Sequence, residues 1–252
     1  MHDPLLDQYR EFLKDTIRQK VDFSQTGQSR GDPPPPLEKP LAADATRVRL
    51  VAPGAWQGIP PADLVTAIGS RQSRREFSGG PLSLDELSLL LWATQGVRQR
   101  INRATALRTV PSAGARHALE TYICIFRVEG LESAVYRYLP LEHELVLEFH
   151  EPDARTRLAQ ATFGQSFVGD SAATFIWTAV PCRMEWRYGL ASHKLIALDA
   201  GHVCQNLYLA CEAIEAGACA VAAYDQECVD QLLRVDGEDE FTIYLAAVGK
   251  IA

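Results

Sequence analysis

Apolar positions along the chain fall into two periods, one of about 3.6 residues and one of two, and the changes between them mark out the elements. Leu5, Tyr9, Phe12, Leu13 and Ile17 form one helical stripe, so Asp3–Val21 is predicted as an amphipathic helix with Asp3 as N-cap and Pro4 in the first turn. A polar stretch and the run PPPP follow, predicted as an extended linker arm. ADLVTAIG is predicted helical from Ala62 to about Gly69. PLSLDELSLLLWATQG carries the clearest helix signature, with Ser83 and Glu86 as a capping box, Leu82 and Leu87 as a staple, and Gly96 as a left-handed C-cap.

Beyond a polar loop with Arg98, Arg100, Arg103 and Arg108, the period shortens to two. LETYICIFRV is predicted as a strand, AVYRYL and HELVLEF as a hairpin turning near Pro140, and ATFIWTAVP as a fully buried strand. ARTRLAQATF between them is predicted helical. A long helix from about His193 to Ala216 should end at Gly217, and apolar residues on more than one of its faces suit the centre of a core or a dimer interface. ACAVAAY and FTIYLAAVG close the chain as strands around a short helix, Gln226–Leu233. This order implies an α+β sandwich. The β-α alternation is too broken for a doubly wound sheet, and neither G-x-G-x-x-G nor the P-loop pattern occurs.

Composition narrows the function more than the fold. With 252 residues, 47% apolar and 23% charged, the chain can build a sizeable core. A net charge of −7 argues against a general nucleic-acid binder. No apolar run reaches membrane-spanning length and the N-terminus lacks a signal-peptide pattern, so a cytoplasmic protein is expected. The six cysteines have no C-x-x-C spacing and suit reduced core positions, and the histidines lack the companions of a zinc site.

Three segments carry candidate chemistry. RQSRREF places Arg71, Ser73, Arg74 and Arg75 just past a helix, where guanidinium forks and a hydroxyl suit a terminal phosphate as well as a solvated basic patch. In TVPSAGA, Pro111 sets the approach, Ser112 offers a hydroxyl, and Ala113 and Gly114 let a flat ligand reach the backbone. Lys250, after Gly249, is a third candidate for the phosphate.

The ordered blocks R-x-S-x-R-x-F, PLSLDELSLLLWATQG, PSAGARHALETY, GHVCQNLYLA and VGK resemble the nitroreductase-like flavoproteins, and within them the SagB-type dehydrogenase branch that includes azoline oxidases. The resemblance covers about Ala62 to Lys250. It implies an arm over residues 1–60 and an FMN-binding domain over 61–252, an α/β/α sandwich with a central mixed sheet that acts as a homodimer with FMN at the interface. Arg71, Ser73 and Arg75 would then meet the FMN phosphate with help from Lys250, and Gln72 would contact the flavin through side chain or backbone. Pro111, Ser112, Ala113 and Gly114 would line the flavin from the other subunit, and Gln165 its pyrimidine edge. Ala222 and Ala223 would face its reactive edge, Ala222 standing where relatives often have glycine. Arg187-Tyr188 occupies the place of a Lys-Tyr pair. The arginine cannot act as a base but can stabilise charge, and the tyrosine can relay a proton. Ala191 and His193 replace an arginine and a tyrosine common in relatives, so substrate specificity does not carry over.

The implied reaction is hydride transfer through flavin N5 to or from a peptide-derived azoline. The alternatives are NAD(P)H-driven reduction of nitro or quinone compounds, and a flavin-binding pathway subunit without turnover.

Overall fold

A computed structural model of the protein describes residues 3–251. Seven strands form its central sheet: Arg47–Arg49 (β1), Leu119–Ile125 (β4), Ala134–Leu139 (β5), Glu144–Phe149 (β6), Ala173–Ala179 (β7), Ala216–Val221 (β8) and Phe241–Lys250 (β9). They lie in the order β1-β6-β5-β4-β7-β9-β8. Every ladder in the sheet is antiparallel. Parallel pairing among the described residues is confined to the bridges Ser73–Ala218 and Leu82–Val128, where loop segments run beside the ordered strands.

The alternation of side chains along β4 and β7 builds two cores. Ile123, Ile125, Phe175 and Trp177 face Leu84–Gln95 (α4) and the 21-residue helix Ser192–Glu212 (α8). Tyr122, Cys124 and Ile176 face Ala154–Ala161 (α5) and Gln226–Leu233 (α9). The result is the expected α/β/α sandwich, but its central sheet is antiparallel and not mixed, because the parallel partners are single-bridge loop segments and not strands. β4 and β7 are buried along their whole length, and burying each of their large apolar side chains contributes about 1.5–3 kcal/mol.

Local signals account for most boundaries. The capping box of α4 is present, with Glu86 N donating to Ser83 Oγ at 3.2 Å and Ser83 N to Glu86 Oε2 at 2.9 Å. Asp63 caps Leu64–Ser70 (α3) through Thr66 N at 2.8 Å.

Two glycines act differently from expectation. Gly96 is not left-handed (φ −58°), but a Cβ there would lie 2.3 Å from Trp92 Cδ1 and 2.6 Å from the Trp92 carbonyl. Close approach, not backbone handedness, requires glycine at this position. The long helix stops at Glu212, and Gly217 lies inside β8, where a Cβ would come within 2.5 Å of Arg74 Cβ.

Three segments depart further from the sequence pattern. The N-terminal helix covers only Pro4–Leu13 (α1), because its apolar side chains bury nothing and Asp15 and Thr16 are weak helix formers; Thr16–Lys20 is a separate 3-10 turn. The arginine-rich loop is a two-stranded hairpin, Val97–Asn102 (β2) and Thr105–Arg108 (β3).

The proline arm is part of the folded body. Past the short helix Gly27–Arg30 (α2), Lys39 N donates to Glu120 Oε1 at 2.8 Å, and Arg108 Nη2 and Arg137 Nη1 donate to the carbonyls of Leu37 and Lys39 at 3.1 and 3.2 Å. Beneath the arm lies a buried ionic network of Glu120, Arg137 and Arg183. Glu38, in the arm, accepts from Leu141 N, and burial pushes its carboxyl up to about 7. No helix among the described residues is long and apolar enough to cross a membrane.

Candidate functional site

The sequence-predicted residues gather into two groups. The first forms where the chain leaves α3. Arg71 is extended (φ −53°, ψ 124°), and the next residues run beside β8, with Arg74 N donating to Ala218 O at 2.8 Å. This lays Ser73 Oγ 3.0 Å from the hydroxyl of Tyr208 on α8, a hydroxyl that also accepts from Ala220 N at 2.8 Å.

Two aromatic rings support the arginines. The Arg71 guanidinium sits 5.2 Å over the Tyr208 ring and that of Arg75 5.8 Å over Phe167. Such stacking orients a guanidinium while leaving its in-plane donors available. Phe167 opens Phe167–Asp170 (α6), two residues past Gln165, whose Nε2 donates to Thr162 O at 2.9 Å and Ala223 O at 3.3 Å. Arg71, Ser73, Arg75, Gln165, Ala222 and Ala223 are thus arranged around one end of β8, with Gln72, Ala222 and Ala223 exposed.

Lys250 shares no partner with this group. Its ammonium is engaged by the Glu86 carboxylate and by Ile214 O at 2.6 Å.

The second group is built on the Pro111–Gly114 turn. Ser112 Oγ accepts from His117 N at 2.9 Å, and Asp199 Oδ1 accepts from Ala113 N at 3.3 Å. The Ser112 side chain also lies near enough to the Asp199 carboxylate to favour its charged form. Asp199 is 6% exposed and its Oδ2 has no partner; burial raises its pKa, and Ser112 and the bond from Ala113 oppose that rise. Gly114, Ala115 and His117 all take left-handed φ values, of 59°, 53° and 47°.

Arg187 and Tyr188, in Cys182–Tyr188 (α7), close over this turn. A Cβ on Gly114 would lie 2.6 Å from Tyr188 Oη and 2.8 Å from Arg187 Nε. Arg187 stacks on the Tyr188 ring at 5.6 Å. Burial drives the His117 pKa down to about 2 and keeps the ring neutral, with the charges of Arg108, Arg116 and Arg183 adding to the effect.

The two groups are separated by α8. Asp199 touches the second and Tyr208 the first, nine positions later. At 100° and 1.5 Å per residue they lie on opposite faces of the helix and about 13 Å apart along its axis.

Residues 68–250 match the Nitroreductase family. The chain belongs to this family. Nitroreductases are in general flavin-dependent oxidoreductases. The chain is 33% identical over 180 residues to a Methanocaldococcus jannaschii protein classed as a nitroreductase, covering 71% of this chain and 87% of that one. It is 28% identical over 166 residues to the trifolitoxin-processing protein TfxB of Rhizobium leguminosarum bv. trifolii, covering 62% of this chain but only 44% of TfxB.

Two solved structures classed as nitroreductases share the fold. The one from Ralstonia eutropha JMP134 has a TM-score of 0.68 at 27% identity, covering 87% of this chain and 99% of its own. The one from Anabaena variabilis has a TM-score of 0.70 at 26% identity, covering 83% of this chain, which spans 42% of its length.

Sequence reasoning missed Tyr208, Phe167 and Asp199. Asp199 left the clearest trace, as a carboxylate set into LIALDAGHV, a helical stretch otherwise apolar enough to be buried.

Proposed function

We propose that the protein is an FMN-dependent oxidoreductase of the SagB-type branch, active as a homodimer, with each flavin held between two copies. The observation that carries this is the division of the site residues between opposite faces of α8. In one chain the helix stands between the two groups. Two copies can bring them together, the Arg71–Ser73–Arg75 group of one meeting the Pro111–Gly114 turn of the other.

The residues present fit FMN at both ends. Arg71 and Arg75 make no ion pair among the described residues and are pre-oriented by aromatic rings, as a phosphate cradle requires. Lys250 joins them only by giving up Glu86. The missing Cβ at Gly114 lets Arg187 and Tyr188 pack directly on bare backbone, which holds rigid the turn that would line the flavin. FMN, when bound, supplies two-electron hydride transfer through its N5.

The chain's own residues do the rest. Gln165, tied to Ala223 O, orients the flavin edge, and Ala222 narrows the space beside it. Asp199 fixes the Ser112–Ala113 backbone. Arg187 holds negative charge that develops on the substrate, and the Tyr188 hydroxyl moves a proton. Residues 61–252 form the catalytic body in this proposal and 1–60 an arm laid on it.

Similarity to a trifolitoxin-processing protein supports a peptide-derived substrate, and dehydrogenation of an azoline is the reaction we favour. Similarity to the M. jannaschii protein supports the second reading, NAD(P)H-driven reduction of a nitro or quinone compound. Flavin release from the purified protein tests the cofactor, and stopped-flow mixing with NADPH separates the reactions. A colourless protein that takes up no FMN contradicts the proposal. A flavin reduced rapidly by NADPH favours the second reading, and one that stays oxidised favours the first. A flavin that resists every hydride donor points to a binding subunit without turnover.

A further inference from the structure

A cavity of about 300 Å³ opens between the β2–β3 hairpin and the Pro111–Gly114 turn, with Arg98, Arg108, Thr109, Ser112 and His117 as its polar lining. No Asp or Glu lines it, although the chain as a whole carries a net charge of −7. Arg98 donates through Nε to Arg108 O at 2.9 Å, which fixes the plane of its guanidinium. Arg98 is exposed, and among the described residues its two terminal nitrogens have no protein partner and it makes no ion pair.

Arg108 is 3% exposed and spends its terminal nitrogens on Gln95 Oε1 and Leu37 O at 2.9 and 3.1 Å, while its Nε–H has no partner. The acids whose charges act on Arg108, Glu120 and Glu38, lie outside the lining. Thr109 donates to Trp92 O, and Ser112 Oγ accepts from His117 N. The wall is therefore one buried cation, one neutral imidazole, and one guanidinium held by its Nε with a free pair of parallel donors.

We propose that this cavity is a subsite for a carboxylate carried by the substrate, gripped in the fork of Arg98 and backed by the buried charge of Arg108. The volume is at the low end for ligand sites and suits an acidic side chain, a chain terminus or a benzoate, not a nucleotide. A planar fork with two parallel N–H groups is the donor geometry that carboxylates match. Because Pro111 and Ser112 belong both to the cavity wall and to the turn assigned to the flavin, an acid bound here stands beside the redox site. Only that last placement rests on the flavin proposal.

The test compares 4-nitrobenzoate with 4-nitrobenzamide, which share ring and size and differ in charge. Calorimetric titration into the full-length protein should show the acid binding at least about tenfold more tightly, as a charge-assisted pair implies. Arg98→Gln should bring the two ligands to within about twofold, Arg98→Lys should retain part of the preference, and Arg103→Gln, at the hairpin tip, should retain all of it. Circular dichroism shows whether the variants keep their fold. Equal affinities in the parent protein, or a preference that survives Arg98→Gln, overturns the proposal. A preference in binding without reduction of either compound supports the carboxylate subsite and counts against the nitro-reductase reading alone.

Discussion

The two halves of the candidate site are built on different principles. Around Arg71, Ser73 and Arg75 the support is light, a segment beside β8 with arginines resting on Tyr208 and Phe167 and open to solvent. Around Gly114 it is heavy, with three left-handed residues, a buried carboxylate and the Arg187–Tyr188 pair in close contact. Left-handed Ala115 and His117 each cost on the order of 1 kcal/mol or more, a strain that persists only where the surroundings over-determine the backbone. Binding charge needs donors that are free to turn toward it. Holding a flat ring and a reacting substrate needs a surface that does not move.

That contrast can be broken by substitution. Arg71→Ala with Arg75→Ala should weaken FMN binding about 100-fold by removing two charge-assisted contacts, yet leave the melting temperature of the flavin-free protein within about 2 °C. Flavin titration and a thermal melt on the same sample check both halves.

Gly114→Ala should do the reverse in kind. A Cβ 2.6 Å from Tyr188 Oη at positive φ should destabilise the flavin-free protein by about 1–3 kcal/mol and cut FMN occupancy about tenfold. A variant as stable as the parent would show that the second half is not rigid.

Asp199→Asn separates stability from function. Burial raises the Asp199 pKa, so the folded protein binds this proton more tightly than the unfolded chain does. Stability therefore falls as pH rises from the unfolded value near 3.8 through the higher folded value, and the carboxylate is a cost at pH 7. The variant should melt a few degrees higher at pH 7 while binding FMN a few-fold more weakly, because the Ser112–Ala113 backbone loses a charged acceptor.

The smallest effect concerns the arm. With Glu38 pushed up to about 7 from 4.5, the folded state holds its proton more tightly, and this group makes stability fall as pH rises across that window and level off above it. Glu38→Gln should flatten that slope in melts taken from pH 4.5 to pH 8, with FMN binding unchanged. An identical slope in the variant would assign the effect to another group.

The same division shows in what the sequence discloses. Helix α4, strands β4 and β7 and the RQSRR cluster are written in local patterns: a capping box, alternation, like charges in a row. The features that escape are set by distant contacts. Gly96 and Gly217 look like helix terminators but are glycine because Trp92 and Arg74 crowd them. The proline arm looks like a linker because Glu120 and Arg137, which hold Lys39, come about 80 and 100 residues later in the chain. An arginine-rich stretch looks like a loop, yet its alternation pairs Val97 with Arg108 in a hairpin. Asp199 needs the PSAG turn in view before its place in an apolar helix makes sense.

Complementation between two inactive variants tests most directly whether each flavin is shared by two copies. Arg71→Ala/Arg75→Ala and Gly114→Ala chains, tagged differently and co-expressed, can be isolated as mixed dimers. In such a dimer one composite site carries both lesions and the other carries none. The shared-site account predicts about one tightly bound FMN per mixed dimer, against only weak binding to either parent homodimer. Mixed dimers that bind FMN no better than the parents would place each site within a single chain and contradict it.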